Sequence, residues 1–205
     1  MIRQLSATAL GHGELQVIRM LKDRPVMKTH LTRNDLIWKW VVRKFAGEDL
    51  PDTIDWDKRA PYGGAKASHL YPCKTERGRI NIAKGLSFEA SWAGAVFELF
   101  NISLCAEFKR VIKKAYEGRL NKREFTLKMA QIEFKAIKKA EKFYKDIWDP
   151  WRRKKGILSD PCEWNVGCPA KFKDWIKSFD KDCDYPWKIY FDFYDDHLEE
   201  WALAV

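Results

Sequence analysis

No stretch of this sequence combines the length and the freedom from charge that a membrane-spanning helix needs. No apolar core of a secretory signal follows Met1 either. A cytoplasmic protein with no membrane contact is therefore expected. C-x-x-C pairs are absent, and the five Cys, at 73, 105, 162, 168 and 183, are odd in number. Free thiols are expected rather than a disulfide framework. Cys162, Cys168 and Cys183 together with His197 make four possible zinc ligands, yet their spacings match no common finger. Neither a metal nor a cofactor is expected. The run Gly63-Gly64-Ala65-Lys66 can present backbone N–H groups to an anion, but it lacks the spacing of a phosphate-binding P-loop.

What is present is apolar helix. The 205 residues suit one domain with a substantial core, and ten Trp supply much of the burial area. From Ala90 to Ala106 the apolar side chains, spaced by about 100° per residue, point all round the helix, so this arm is buried on every side. Glu98 and Asn101 lie inside that run, three residues apart and on one face. A carboxylate there must be paired, hydrogen-bonded or protonated.

The arm is expected to end at Gly118, which can take the left-handed conformation. A second arm then opens with Asn121 as N-cap and Glu124 three residues on, with Leu120 and Phe125 as a hydrophobic staple. Its apolar arc holds Met129, Ala130, Ile132, Ala136, Ile137, Ala140, Phe143, Tyr144, Ile147 and Trp148, while Lys128, Lys135, Lys138, Lys139, Lys142 and Lys145 face the other way. Glu133 falls near the middle of the apolar arc. Each arm of one hairpin thus turns a carboxylate inward. Such carboxylates often serve register alone, paired with an Arg, a Tyr hydroxyl or a helix terminus.

Trp92, the run Phe97-Glu98-Leu99-Phe100-Asn101, Phe108, Gly118 and a second helix with Glu133 together resemble a pattern in uncharacterised bacterial proteins. That resemblance covers Leu86 to Trp148 and implies no activity. The run also compares with the zinc-peptidase helix H-E-x-x-H. Phe97 and Asn101 stand where its two His ligands belong, so a working zinc peptidase is not expected.

The remainder is read more coarsely. A helix is expected over 33–46, and with one over 14–23 it can be read as a DNA-binding pair, although its Trp, Val and Ile suit a core better than a major groove. Residues 47–85 carry many Pro and Gly and are expected to form an irregular covering loop, with a short strand at Arg79–Ala83. His69, the only His in the middle of the chain, lies in this loop. If the loop folds over the hairpin, His69 can face Glu98 as an acid/base pair. Asp149-Pro150 is expected to break the second arm. C-terminal helices are expected within 156–205, at 170–179 and 189–203, the last docking through Phe191, Tyr194, Leu198, Trp201 and Val205.

The formal net charge of +9 is unevenly spread, with 17 Lys/Arg against 6 Asp/Glu over 109–155 and 2 against 8 over 180–205. The expected architecture is mainly α, a single domain over 1–205 around the antiparallel hairpin of 86–148, with at most a short strand pair. Three functions fit. The first is a non-catalytic interaction protein that meets another protein and keeps a buried polar centre. The second is a hydrolase-like enzyme using Glu98 and Glu133, one protonated and one ionised, with Asn101 orienting the substrate and His69 assisting. The third is a nucleic-acid binder using Lys138, Lys142, Lys145, Arg152, Arg153, Lys154 and Lys155.

Overall fold

In the computed structural model, the structure describes residues 53–58, 65–70, 79–179 and 185–202. The expected helices at 14–23 and 33–46 lie outside these residues. The fold is mainly α. Strands β1 (Thr53–Lys58), β2 (Ala67–Leu70) and β3 (Arg79–Ala83) precede helices α1 (Phe88–Ser103), α2 (Cys105–Tyr116) and α3 (Lys122–Phe143). A π-helical turn, Tyr144–Trp148, leads into α4 (Asp149–Lys154), followed by a 3-10 turn at Pro161–Trp164, α5 (Phe172–Lys177) and α6 (Trp187–Ala202). No helix among the described residues is long and apolar enough to cross a membrane.

The segment expected to be irregular carries a sheet of order β1-β3-β2. Its antiparallel pair, β2 with β3, matches the short strand pair of the sequence reading, and β1 extends it in parallel to β3. Ile80 and Ile82 of β3 are fully buried, opposite His69 and Ala67 respectively. Period-two alternation puts all four on one face of the sheet, and that face meets α1, where Ala67 and Ile82 both approach Gly94.

The hairpin forms, with its first arm in two pieces. Ser103 Oγ turns back onto the Phe100 carbonyl at 2.7 Å and the Leu104 N–H bonds Asn101 O at 2.9 Å, which tightens the last turn of α1 and starts α2 afresh. At the far end, Gly118 (φ +67°) and Arg119 donate their N–H groups to the carbonyls of Ala115 and Lys114, a Schellman closure. Asn121 and Glu124 then cap α3 reciprocally, at 2.9 and 3.0 Å. Leu120 and Phe125 are both buried, in the same cluster.

The helical path does not stop at Asp149-Pro150. It widens into the π turn just before and resumes as α4. Pro150 then occupies the first turn of a new helix, where its missing N–H costs nothing. The widening buries Tyr144, Ile147, Trp148 and Trp151 together. Trp148 sits against Trp164 (4.8 Å between ring centroids), Trp151 (5.1 Å) and Trp92 (6.3 Å). Every residue assigned to the apolar arc of α3 is buried, and so is Glu133.

Two apolar clusters share α3. The larger joins β3, α1, α2 and the π turn. The smaller holds Ala130, Phe134 and Ile137 against Trp175, Ile176 and Trp187 from the C-terminal segments. α6 docks by a broader face than one stripe, with Tyr190, Phe193 and Tyr194 on the larger cluster and Phe191 on the smaller. The side chains of Leu198, Trp201 and Val205 fall outside the described residues.

Candidate active site

Glu98 of α1 lies where β2 packs on that helix. His69, on β2, places Nδ1 2.6 Å from Glu98 Oε2. Asn101, one turn beyond Glu98, donates its Nδ2–H to the same oxygen at 3.2 Å. Glu98 and Asn101 are 5% and 3% exposed, whereas the His69 side chain retains 16%. The imidazole is thus the outer member of the three. A carboxylate on Nδ1 fixes the orientation of the imidazole ring.

Asn101 keeps a further group in reserve. Its Oδ1 is buried and accepts no hydrogen bond among the described residues. A buried amide oxygen without a donor carries a desolvation cost of about 1–3 kcal/mol, which a bound N–H or O–H relieves.

Glu133 of α3 lies within electrostatic reach of this group. Tyr190, in the first turn of α6, donates its hydroxyl to Glu133 Oε2 at 2.6 Å, and the Tyr185 hydroxyl bonds the same carboxyl. Burial pushes the Glu133 carboxyl above its ordinary pKa, the two hydroxyls pull it part of the way back, the Glu98 charge adds to the rise and His69 opposes it. Burial, followed by the charge of Glu133, raises Tyr185 well above its own ordinary value, so it remains a protonated donor. The two inward carboxyls of the hairpin therefore share one electrostatic neighbourhood. Their surroundings differ: Glu98 meets an imidazole and an amide, and Glu133 meets two phenols.

Of the residues expected from the sequence, hydrogen bonds join His69, Glu98 and Asn101, and Glu133 lies within electrostatic reach of them but bonds Tyr185 and Tyr190 instead. The sequence reading missed Tyr185 and Tyr190. Tyr190 adjoins the expected docking stripe beside Phe191, and a buried carboxylate calls for donors, but nothing in the sequence pairs these Tyr with Glu133 in particular. It also missed a second polar knot. The Glu89 carboxylate, in the first turn of α1, accepts the indole N–H of Trp148 (2.9 Å) and of Trp164 (2.8 Å), the Asp160 N–H (2.7 Å) and the Ser159 hydroxyl. An acid near a helix N-terminus beside Ser87 as N-cap reads as ordinary dipole compensation, which hid this role.

The basic residues are mostly neutralised. Lys138 and Lys145 pair with Glu141, Lys142 pairs with Asp146, and Arg152 and Arg153 pair with Asp149. Of the seven candidate nucleic-acid contacts, only Lys154 and Lys155 lack an acidic partner among the described residues. Lys122 reaches Asp195 of α6 at 2.5 Å, a link between the basic hairpin and the acidic C-terminal helix. Among the described residues no group of three His, Cys, Asp or Glu side chains is arranged to hold a metal ion. Cys162 is exposed and Cys168 half-buried; Cys183 and the His197 side chain lie outside the described residues.

No family model, curated protein or solved structure matches this chain.

Proposed function

We propose that the protein is a hydrolase-like enzyme whose acid/base centre is His69 on Glu98, with Asn101 and Glu133 as partners. The observation that carries this reading is the 2.6 Å contact between His69 Nδ1 and Glu98 Oε2, with Asn101 bound to the same oxygen. Base and orienting carboxylate at hydrogen-bond distance are what proton transfer in acyl hydrolysis requires.

In this reaction His69 Nε2 takes a proton from water as the water oxygen attacks the carbonyl carbon of an ester or amide. Glu98 stabilises the imidazolium that results. The same proton then passes from Nε2 to the departing alcohol or amine as the acyl bond breaks. Asn101 Oδ1 receives a substrate N–H or O–H, which supplies the donor it lacks among the described residues. Glu133, whose pKa burial raises, places a second carboxyl within the electrostatic reach of this centre.

Two observations weigh against the other readings. The basic arc is largely paired with acids of its own chain. Among the described residues only Leu158 and Ile189 are exposed large hydrophobics, so those residues present no aromatic docking patch.

The test is a panel of chromogenic esters and anilides, assayed with the wild type, His69→Gln and Glu98→Gln. Turnover by the wild type that falls by roughly 10²-fold or more in both variants supports the proposal. A wild type inactive on the whole panel, or variants that keep its rate, would sink it.

A further inference from the structure

The short contact between His69 and Glu98 depends on how closely β2 approaches α1. The two elements meet at Gly94, where a Cβ would stand 3.1 Å from Ala67 Cβ and 3.8 Å from Ile82 Cδ1. Gly94 is the only glycine in α1. Glycine inside a helix is unfavourable relative to alanine, so helix formation alone gives no reason for it.

The position of this contact relates it to the dyad. Ala67 precedes His69 by two residues on β2, and period-two alternation sets both on one face of the strand. Gly94 precedes Glu98 by four residues on α1, so both lie on one face of the helix. The strand–helix spacing at Ala67 and Gly94 thus governs the spacing one step along, at His69 and Glu98. A 3.1 Å separation is tighter than nine in ten real Cβ contacts, and a side chain at 94 displaces its neighbour by a few tenths of an ångström. That displacement carries a 2.6 Å contact towards ordinary hydrogen-bond length.

We propose that Gly94 is a positioning residue for His69 and Glu98: its missing side chain lets β2 close on α1 and sets the short contact between them. The consequence for turnover rests on the catalytic reading above, whereas the geometry is open to direct measurement.

The experiment follows the His69 Nδ1 proton by NMR in the wild type, Gly94→Ala, Ala67→Gly and the double variant, with His69→Gln to assign the resonance. Melting temperature and hydrolysis are recorded on the same samples. The wild type should show a downfield Nδ1–H resonance, which Gly94→Ala moves upfield while the melting temperature holds or rises, since alanine is the better helix former. Removing the Ala67 methyl in the double variant should return the resonance to its wild-type position. Turnover should follow the resonance, falling about tenfold in Gly94→Ala through kcat with KM unchanged, then recovering.

An unmoved resonance in Gly94→Ala overturns the inference, as does a folded double variant that fails to recover it. If Gly94→Ala does not fold, the double variant decides alone: folded with the wild-type resonance it supports the inference, and unfolded it refutes it. A resonance that responds as expected in a protein without hydrolytic activity leaves Gly94 as a positioning residue and removes the catalytic reading.

Discussion

Replacing Glu133 by Gln should change how stability depends on pH. Burial holds the folded-state pKa of Glu133 above the ordinary value of 4.5, with the Glu98 charge adding to the rise and the Tyr185 and Tyr190 hydroxyls and His69 opposing it. Between the unfolded and folded values the native state retains a proton that the unfolded chain has released, so native stability falls as pH rises. For one group the slope is about 1.4 kcal/mol per pH unit across that interval and zero on either side. Glu133 is thus harmless to stability below its unfolded pKa, and its cost is complete once the pH has passed the folded one. Gln keeps an acceptor for Tyr190 and has nothing to ionise. Urea unfolding of both proteins, from about pH 4 to about pH 9, gives the difference in stability at each pH. The curves should diverge upward from the ordinary carboxylate range in favour of Gln and run parallel at higher pH. A difference independent of pH, or one that favours the wild type increasingly as pH rises, would exclude a raised folded-state pKa for Glu133.

Glu89→Ala should cost about 3 kcal/mol or more in urea unfolding, because it leaves the buried indole N–H groups of Trp148 and Trp164 without an acceptor; a loss below about 1 kcal/mol would show that the knot is incidental. Asn121→Ala removes the capping box and should lower stability by about 1 kcal/mol, read as a fall in melting temperature. Glu141 moves the opposite way from Glu133: burial alone would raise its pKa, but Lys138 and Lys145 outweigh burial and lower it. Its contribution is therefore present above the unfolded pKa and disappears as pH falls through the folded one. Glu141→Gln should cost at most about 1 kcal/mol at neutral pH, given how exposed Lys145 is, and nothing in strong acid.

The hairpin was legible because several levels of the sequence agree there. Gly118, Asn121 and Glu124 mark a turn by local chemistry alone, and the period of α3 sorts its residues into buried and exposed without reference to any partner. The inward positions of Glu98 and Glu133 follow from the same periodicity. The break at Leu104 was not legible, since it depends on a Ser103 hydroxyl turning back onto the main chain. Nor was the continuation through Pro150, where the π turn absorbs what a proline ordinarily interrupts. Strand β1 did leave a trace, for Ile54 and Trp56 alternate with Asp55 and Asp57; the surrounding Pro and Gly obscured it. β2, four residues long, carries too little pattern to be read. Without β2 placed, His69 could be put opposite Glu98 only as a conditional. The Tyr185 and Tyr190 contacts to Glu133 are long-range, and no local rule encodes them.

The role of Glu98 is decided when the melting temperature and the hydrolytic rate of Glu98→Gln are measured on one preparation. Gln keeps the shape of Glu98 and removes its charge. Active-site carboxylates are commonly retained at a cost in stability, whereas structural ones contribute to it. A catalytic Glu98 predicts that hydrolysis is lost while the melting temperature stays level or rises. A fall in melting temperature worth about 2 kcal/mol or more, in a protein whose wild type hydrolyses nothing on the panel, would make the cluster a structural network rather than a catalytic centre.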